Sequence, residues 1–175
     1  MDRRAFGLGI AATLGVAGCS SSTGPVNKFL AYNGPEVTSI VVNKGARKVY
    51  LMHDQDILRE YKMDLGFAPS GHKAVEGDGK TPEGTYFIDR RNPNSAYHLS
   101  IGISYPNAED RAKAAAMGKK PGGEIFIHGE PNSAKARKRA ARVDDWTAGC
   151  IAVKNHEIEE IYAMVADGTP VFLYP

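Results

Sequence analysis

Only two cysteines occur in the 175 residues, Cys19 and Cys150, and there is a single tryptophan. A disulfide-stapled scaffold is therefore excluded, because one bridge at most is available. Charge of one sign is also missing: 22 Lys and Arg stand against 20 Asp and Glu, a net +2. That balance gives no basis for nucleic-acid binding. No internal apolar run is long enough to span a bilayer, and no repeat or heptad pattern appears. No pair of histidines has zinc-ligand spacing, so neither metal nor cofactor is expected. Glycine and proline are plentiful, at 19 and 10. They point to many turns and a strand-rich fold with a core of useful size.

The N-terminus has its own character. Asp2-Arg3-Arg4 is followed by Ala5 to Gly18, a stretch without charge, then Cys19 and the polar run Ser20-Ser21-Ser22-Thr23-Gly24-Pro25. The apolar stretch suits a secretory signal rather than a membrane span. Val16-Ala17-Gly18-Cys19 resembles a bacterial lipobox, which implies cleavage before Cys19 and acylation of its thiol. Residues 1–18 are thus expected to be a lipoprotein-type signal peptide and 19–34 a lipidated, flexible tether. Arg3-Arg4 fits export by Sec or by the twin-arginine route. By the same resemblance, Ser20 after the cysteine permits sorting to the outer membrane, so the expected location is periplasmic, anchored to the outer or the inner membrane. With Cys19 acylated, Cys150 is the one free thiol, and a lone thiol in an exported chain is a reactive-site candidate.

Residues 35–175 form the expected domain. Val37–Val42, Arg47–His53 and Ile57–Leu65 alternate around turn signals as an antiparallel meander. Thr85–Asp89, Tyr97–Ser104, Glu124–His128, Ile151–Val153 and Pro170–Tyr174 continue the strand pattern, and 66–84 is a Gly- and Pro-rich loop. Helices are expected from an Asn107 cap to Met117, over the basic stretch Ser133–Arg142, and from an Asn155 cap through Ile158, Ile161, Tyr162 and Val165.

Chemistry concentrates at Thr147-Ala148-Gly149-Cys150. A thiolate is a strong nucleophile, but a thiol at neutral pH needs a base. His128, ending an apolar strand beside Gly129, is the candidate. The alternatives are a small buried cysteine and a core histidine bonded to a carbonyl. Tyr105 and His98 suggest groove-lining side chains, with core packing as the alternative. Asp144 and Asp145 suggest a means of orienting the loop. Five cations, Lys135, Arg137, Lys138, Arg139 and Arg142, form either a lid or docking surface or a solvated helix face.

Ile127-His128-Gly129 followed by Thr147-x-Gly149-Cys150-Ile151 resembles the signature of the L,D-transpeptidase catalytic (YkuD) family. Lys80-Thr81-Pro82-Glu83-Gly84 resembles a second stretch of that family, and 41–51 resembles its opening hairpin. The resemblance implies a single, mainly β (α+β) domain of sandwich or barrel type with a few peripheral helices. It implies Cys150 as nucleophile, His128 as base and backbone of Gly149 and Cys150 as oxyanion hole. Gly129, Thr147, Tyr105, Thr81 and Pro82 become candidates for substrate binding. The implied substrate is the tetrapeptide stem of peptidoglycan, cut between diaminopimelate and terminal D-Ala through a thioester. Acyl transfer then makes a cross-link or anchors a lipoprotein. The alternatives are a hydrolase, trimming stems or releasing a wall-bound lipoprotein, and a non-catalytic wall-binding module. One departure matters: many members carry Arg two places after the nucleophile, where this chain has Ala152, and this leaves the acyl acceptor open.

Overall fold

The structure, a computed structural model, describes residues 27–175. The expected signal peptide, the expected lipidation site Cys19 and the first half of the expected tether, 19–26, lie outside the described residues. Eight strands form one curled sheet: β1 (Ser39–Asn43), β2 (Lys48–His53), β3 (Asp56–Lys62), β4 (Gly84–Asn92), β5 (Ser100–Ile103), β6 (Phe126–His128), β7 (Ile151–Ala152) and β8 (Pro170–Tyr174). Their order is β3-β2-β1-β8-β4-β5-β6-β7. Bridges from Asp64 to Ala152 and from Gly66 to Thr147 bring the chain after β3 against β7, so the sheet turns back on itself. This is the expected mainly β domain. Three helices flank it: α1 (Ala108–Ala116), α2 (Ala134–Ala140) and α3 (Asn155–Met164).

Alternation explains the meander. Ile40 and Val42, Val49 and Leu51, and Val171 and Leu173 point inward from β1, β2 and β8. Successive side chains point to opposite faces, so each strand contributes every second residue to the core. All four residues of β5 are buried, which covers both its faces.

The helices follow their caps. Asn107 accepts from Asp110 N–H at 3.0 Å, and Asp110 accepts from Asn107 N–H at 2.9 Å. This reciprocal pair starts α1 where expected. The third helix differs slightly: Glu157 reaches back to Lys154 N–H at 2.7 Å, so Lys154 caps it. Asn155 instead accepts from Glu130 N–H at 2.8 Å and ties the helix start to the segment after β6. Two strands are shorter than their pattern. His98 and Glu124 have positive φ, 68° and 54°, so the extended runs from Tyr97 and from Glu124 begin only at Ser100 and Phe126.

The loop between β3 and β4 is held from inside. Lys44 is buried, and its ammonium donates to Gly71 O at 2.7 Å, Thr81 O at 3.0 Å and Glu83 Oε1 at 2.7 Å. Three acceptors satisfy its three N–H groups, as a buried ammonium requires. His72 adds a second tie, with Nδ1 3.0 Å from Glu83 N and Nε2 3.1 Å from Asp110.

Candidate active site

Register assembles the site. β6 and β7 run parallel, with Ile127 opposite Ile151 and His128 opposite Ala152. One residue earlier, Phe126 lies beside Cys150. Ile127 and Ile151 point into the core, so Phe126, His128, Cys150 and Ala152 share the opposite face. The 22-residue separation in sequence thereby becomes a diagonal placement, two residues apart in register, on neighbouring chain segments. The thiol and imidazole are not hydrogen-bonded to each other in this conformation. Cys150 Sγ instead donates to Glu124 O at 3.3 Å.

His128 is almost fully buried. Its Nδ1 is 2.7 Å from Gly129 O. A carbonyl only accepts, so Nδ1 carries the proton and Nε2 is left with a lone pair, the state a base needs. Aromatic rings hold the imidazole. Tyr97 packs 4.4 Å from it between centroids, and Trp146 meets it edge-on at 5.7 Å and 65°. Burial pushes the His128 pKa down to about 4, against a smaller opposing effect of the Gly129 carbonyl. Burial also raises the Cys150 thiol, and the Phe126 amide offsets only part of this. Thiol and imidazole are therefore both neutral at pH 7.

The turn ahead of Cys150 is built by Thr147. Its hydroxyl donates to Cys150 O at 2.8 Å and accepts from Gly149 N–H at 3.1 Å. The Gly149 amide is thus occupied here, and Cys150 N–H is the other backbone donor of the expected oxyanion pair. Gly149 has φ 136°, and a Cβ there would lie 2.7 Å from Lys80 O. Gly66 packs from below: a Cβ on it would collide with Gly79 O and come within 2.9 Å of Gly149 Cα. Three segments therefore meet backbone to backbone under the cysteine.

Asp145 orients the loop ahead of the turn. It accepts from Arg47 Nε at 2.9 Å and Nη2 at 2.6 Å, and from Leu65 N–H at 2.9 Å. Asp64 receives the Trp146 indole N–H at 3.0 Å. Trp146 is thereby fixed between an acid and the His128 imidazole.

The structure brings together Cys150, His128, Gly129, Thr147 and Gly149. Thr81 and Pro82 are buried behind the turn, where Thr81 Oγ1 accepts from Gly66 N–H at 3.4 Å. Tyr105 is interior, packed on Tyr86 and His72, with its hydroxyl donating to Pro121 O at 3.0 Å. His98 is bound to Glu159 at 2.6 Å. The basic stretch lies on α2, which buries none of its residues. Among the described residues no three His, Cys, Asp or Glu side chains gather as a metal site. Sequence reading missed Tyr97 and Asp64. Nothing in their local pattern marks them, because long-range register alone brings them to the site.

Comparison with known proteins agrees with this geometry. The profile of the L,D-transpeptidase catalytic domain, YkuD, matches residues 38–173. The chain is 33% identical over 168 residues to YafK of Escherichia coli (strain K12), covering 92% of this chain and 60% of that protein. It therefore spans well under two thirds of that relative. Among solved structures, the helical cell shape determining protein Pgp2 of Campylobacter jejuni superimposes with a TM-score of 0.58 at 31% identity, covering 86% of this chain and 51% of that one. Bd1075 of Bdellovibrio bacteriovorus gives 0.52 at 27% identity, covering 79% and 48%. An L,D-transpeptidase from Mycobacterium smegmatis gives 0.51 at 15% identity, covering 79% and 59%, a likeness of fold. The chain belongs to the L,D-transpeptidase catalytic domain family.

Proposed function

We propose that this protein is a cysteine acyl-transfer enzyme acting on the tetrapeptide stems of peptidoglycan, outside the cytoplasm. The adjacency of Cys150 and His128 on one face of β6 and β7, with His128 Nε2 unprotonated, carries the reading. Cys150 Sγ attacks the diaminopimelate carbonyl carbon while His128 Nε2 takes the thiol proton. The Cys150 N–H faces the oxyanion that develops. The C–N bond then breaks, D-Ala leaves with the proton returned by His128, and a thioester remains. An acceptor amine attacks the thioester, His128 removes its proton, and the thiol is restored. The product is a cross-link or an anchored protein.

A second reading has water as the acceptor, giving a trimmed stem or a released lipoprotein. Its support is Ala152, which places no cation beside His128 to hold a second peptide.

Disaccharide-tetrapeptide incubated with the purified protein and analysed by mass spectrometry tests both. Cross-linked dimers identify the transferase and trimmed monomers the hydrolase. Binding without turnover, unchanged in Cys150→Ala, refutes enzymatic action. The proposal includes a lipid anchor on Cys19, and palmitate labelling that persists in Cys19→Ala would remove it.

A further inference from the structure

One transverse row of residues crosses four strands. Arg90 on β4 is registered with Gly102 on β5, and Gly102 with Phe126 on β6. Parallel pairing then sets Cys150 beside Phe126. Members of one row project to the same face of a sheet, so Arg90 and the nucleophile stand on one surface.

Gly102 leaves a gap in that row, and Arg90 fills it. A Cβ on Gly102 would stand 2.5 Å from Arg90 Cγ. The arginine therefore lies flat across the glycine, and its guanidinium carbon sits 4.4 Å from the centre of the Phe126 ring. That stacking holds a cation one strand away from the thiol. Glu124 closes the connection: its carbonyl accepts from Cys150 Sγ, and its carboxylate stands 3.6 Å from Arg90 Nη2. The same arginine favours the Cys150 thiolate electrostatically.

The present partners of Arg90 are weak competitors. Asp89 holds Nη1 at 2.8 and 2.9 Å but is a half-exposed neighbour in sequence, and the Glu124 side chain is 84% exposed. Solvent-exposed ion pairs contribute little, so an incoming carboxylate displaces them at small cost. A guanidinium fork matches a carboxylate in two parallel hydrogen bonds.

We propose that Arg90 binds the C-terminal carboxylate of the residue released from the stem. This rests on the tetrapeptide reading above. One extended residue spans about 3.4 Å, and strands stand about 4.8 Å apart. A carboxylate one residue beyond the attacked carbonyl thus falls above Phe126, next to the guanidinium. Gly102 is the position that admits the arginine stem and so lets the guanidinium reach Phe126.

The test uses three tetrapeptides: the free acid, its C-terminal amide, and one amidated on the diaminopimelate side-chain carboxylate. Calorimetric binding to Cys150→Ala protein reads recognition without turnover. The free acid binds about tenfold or more tightly than the C-terminal amide. Arg90→Gln abolishes that preference, and Arg90→Lys keeps part of it, with melting temperatures confirming that each variant folds. A preference that survives Arg90→Gln overturns the proposal, as does one that follows the side-chain amide instead. Turnover of the free acid by the unsubstituted protein is measured in parallel. Preference without turnover refutes the proposed function and leaves the Arg90 site standing. Turnover without preference refutes the Arg90 site alone.

Discussion

The clearest consequence of the buried pair is its pH dependence. In the proposed mechanism His128 must be neutral to accept the thiol proton, and burial lowers its pKa to about 4. At pH 5 an imidazole with that pKa is about 90% neutral, whereas one at the ordinary 6.5 is about 3% neutral. kcat/KM at pH 5 is therefore expected to stay close to its value at pH 7, with the acid limb inflecting near pH 4. The thiol is raised, so its alkylation by iodoacetamide at pH 7 is slower than that of a free cysteine. Stability moves in step. A histidine depressed in the folded state takes up its proton in the unfolded chain first, so stability falls as pH drops from 6.5 toward 4. The full effect, below pH 4, is on the order of 3 kcal/mol. The raised thiol acts at the other end: stability falls again as pH rises past the unfolded thiol's pKa. The assays are the kcat/KM profile, urea unfolding across pH 4–7, and the imidazole NMR titration assigned with His128→Asn. An inflection near pH 6.5 in both kinetics and NMR would refute the reasoning, because it would mean that burial does not govern the imidazole.

Two substitutions test the turn beneath the nucleophile. Thr147→Val keeps the shape but leaves Gly149 N–H and Cys150 O without their shared partner. At about 1–3 kcal/mol for each of the two unsatisfied groups, urea unfolding should show a loss of roughly 2–6 kcal/mol. Thr147→Ser should recover most of it, and a valine variant within about 0.5 kcal/mol of the parent would show that the hydroxyl does not hold the turn. Gly66→Ala drives a methyl into Gly79 O and toward Gly149 Cα. Backbone must shift, so a cost of about 1–3 kcal/mol is expected. Alkylation of Cys150 at a changed rate would report the displaced thiol, and an unchanged rate and stability would refute the packing described.

Much of the fold is legible in the sequence because its signals are local. Alternation in β1, β2 and β8 needs only adjacent residues, and so does the Asn107–Asp110 box. The misplaced strand starts at Tyr97 and Glu124 come from backbone conformation that residue type does not encode, since His98 and Glu124 carry no glycine signal for their positive φ. Lys44 shows the same limit. In sequence it reads as a turn residue after Asn43, but its ammonium is the buried centre that three loop acceptors surround. Those acceptors lie 27 to 39 residues away.

The site divides along the same line, and the division is physical. Cys150, His128, Thr147 and Gly149 are recognisable because each chemistry demands a residue type: a thiol, an imidazole, a hydroxyl for a tight turn, a glycine where φ is 136°. Arg90, Tyr97 and Asp64 are generic residues whose meaning is positional. Arg90 becomes relevant only when the β4–β5 bulge sets it opposite Gly102 rather than one residue away. A shift of one residue would turn Arg90 to the other face, and the row would lose its cation. Ala152 belongs to both classes. As a residue type it removes an expected arginine. As a position it sits opposite His128 while its backbone pairs with Asp64, N–H to O and O to N–H at 2.9 Å each. The strand that follows Cys150 is therefore fixed on both sides. An arginine placed at 152 would have to project from a residue that is now 4% exposed, beside the imidazole and the Trp146 indole. An arginine at 152 would therefore change the wall next to the imidazole, while the thiol, the imidazole and the register that joins them stayed in place.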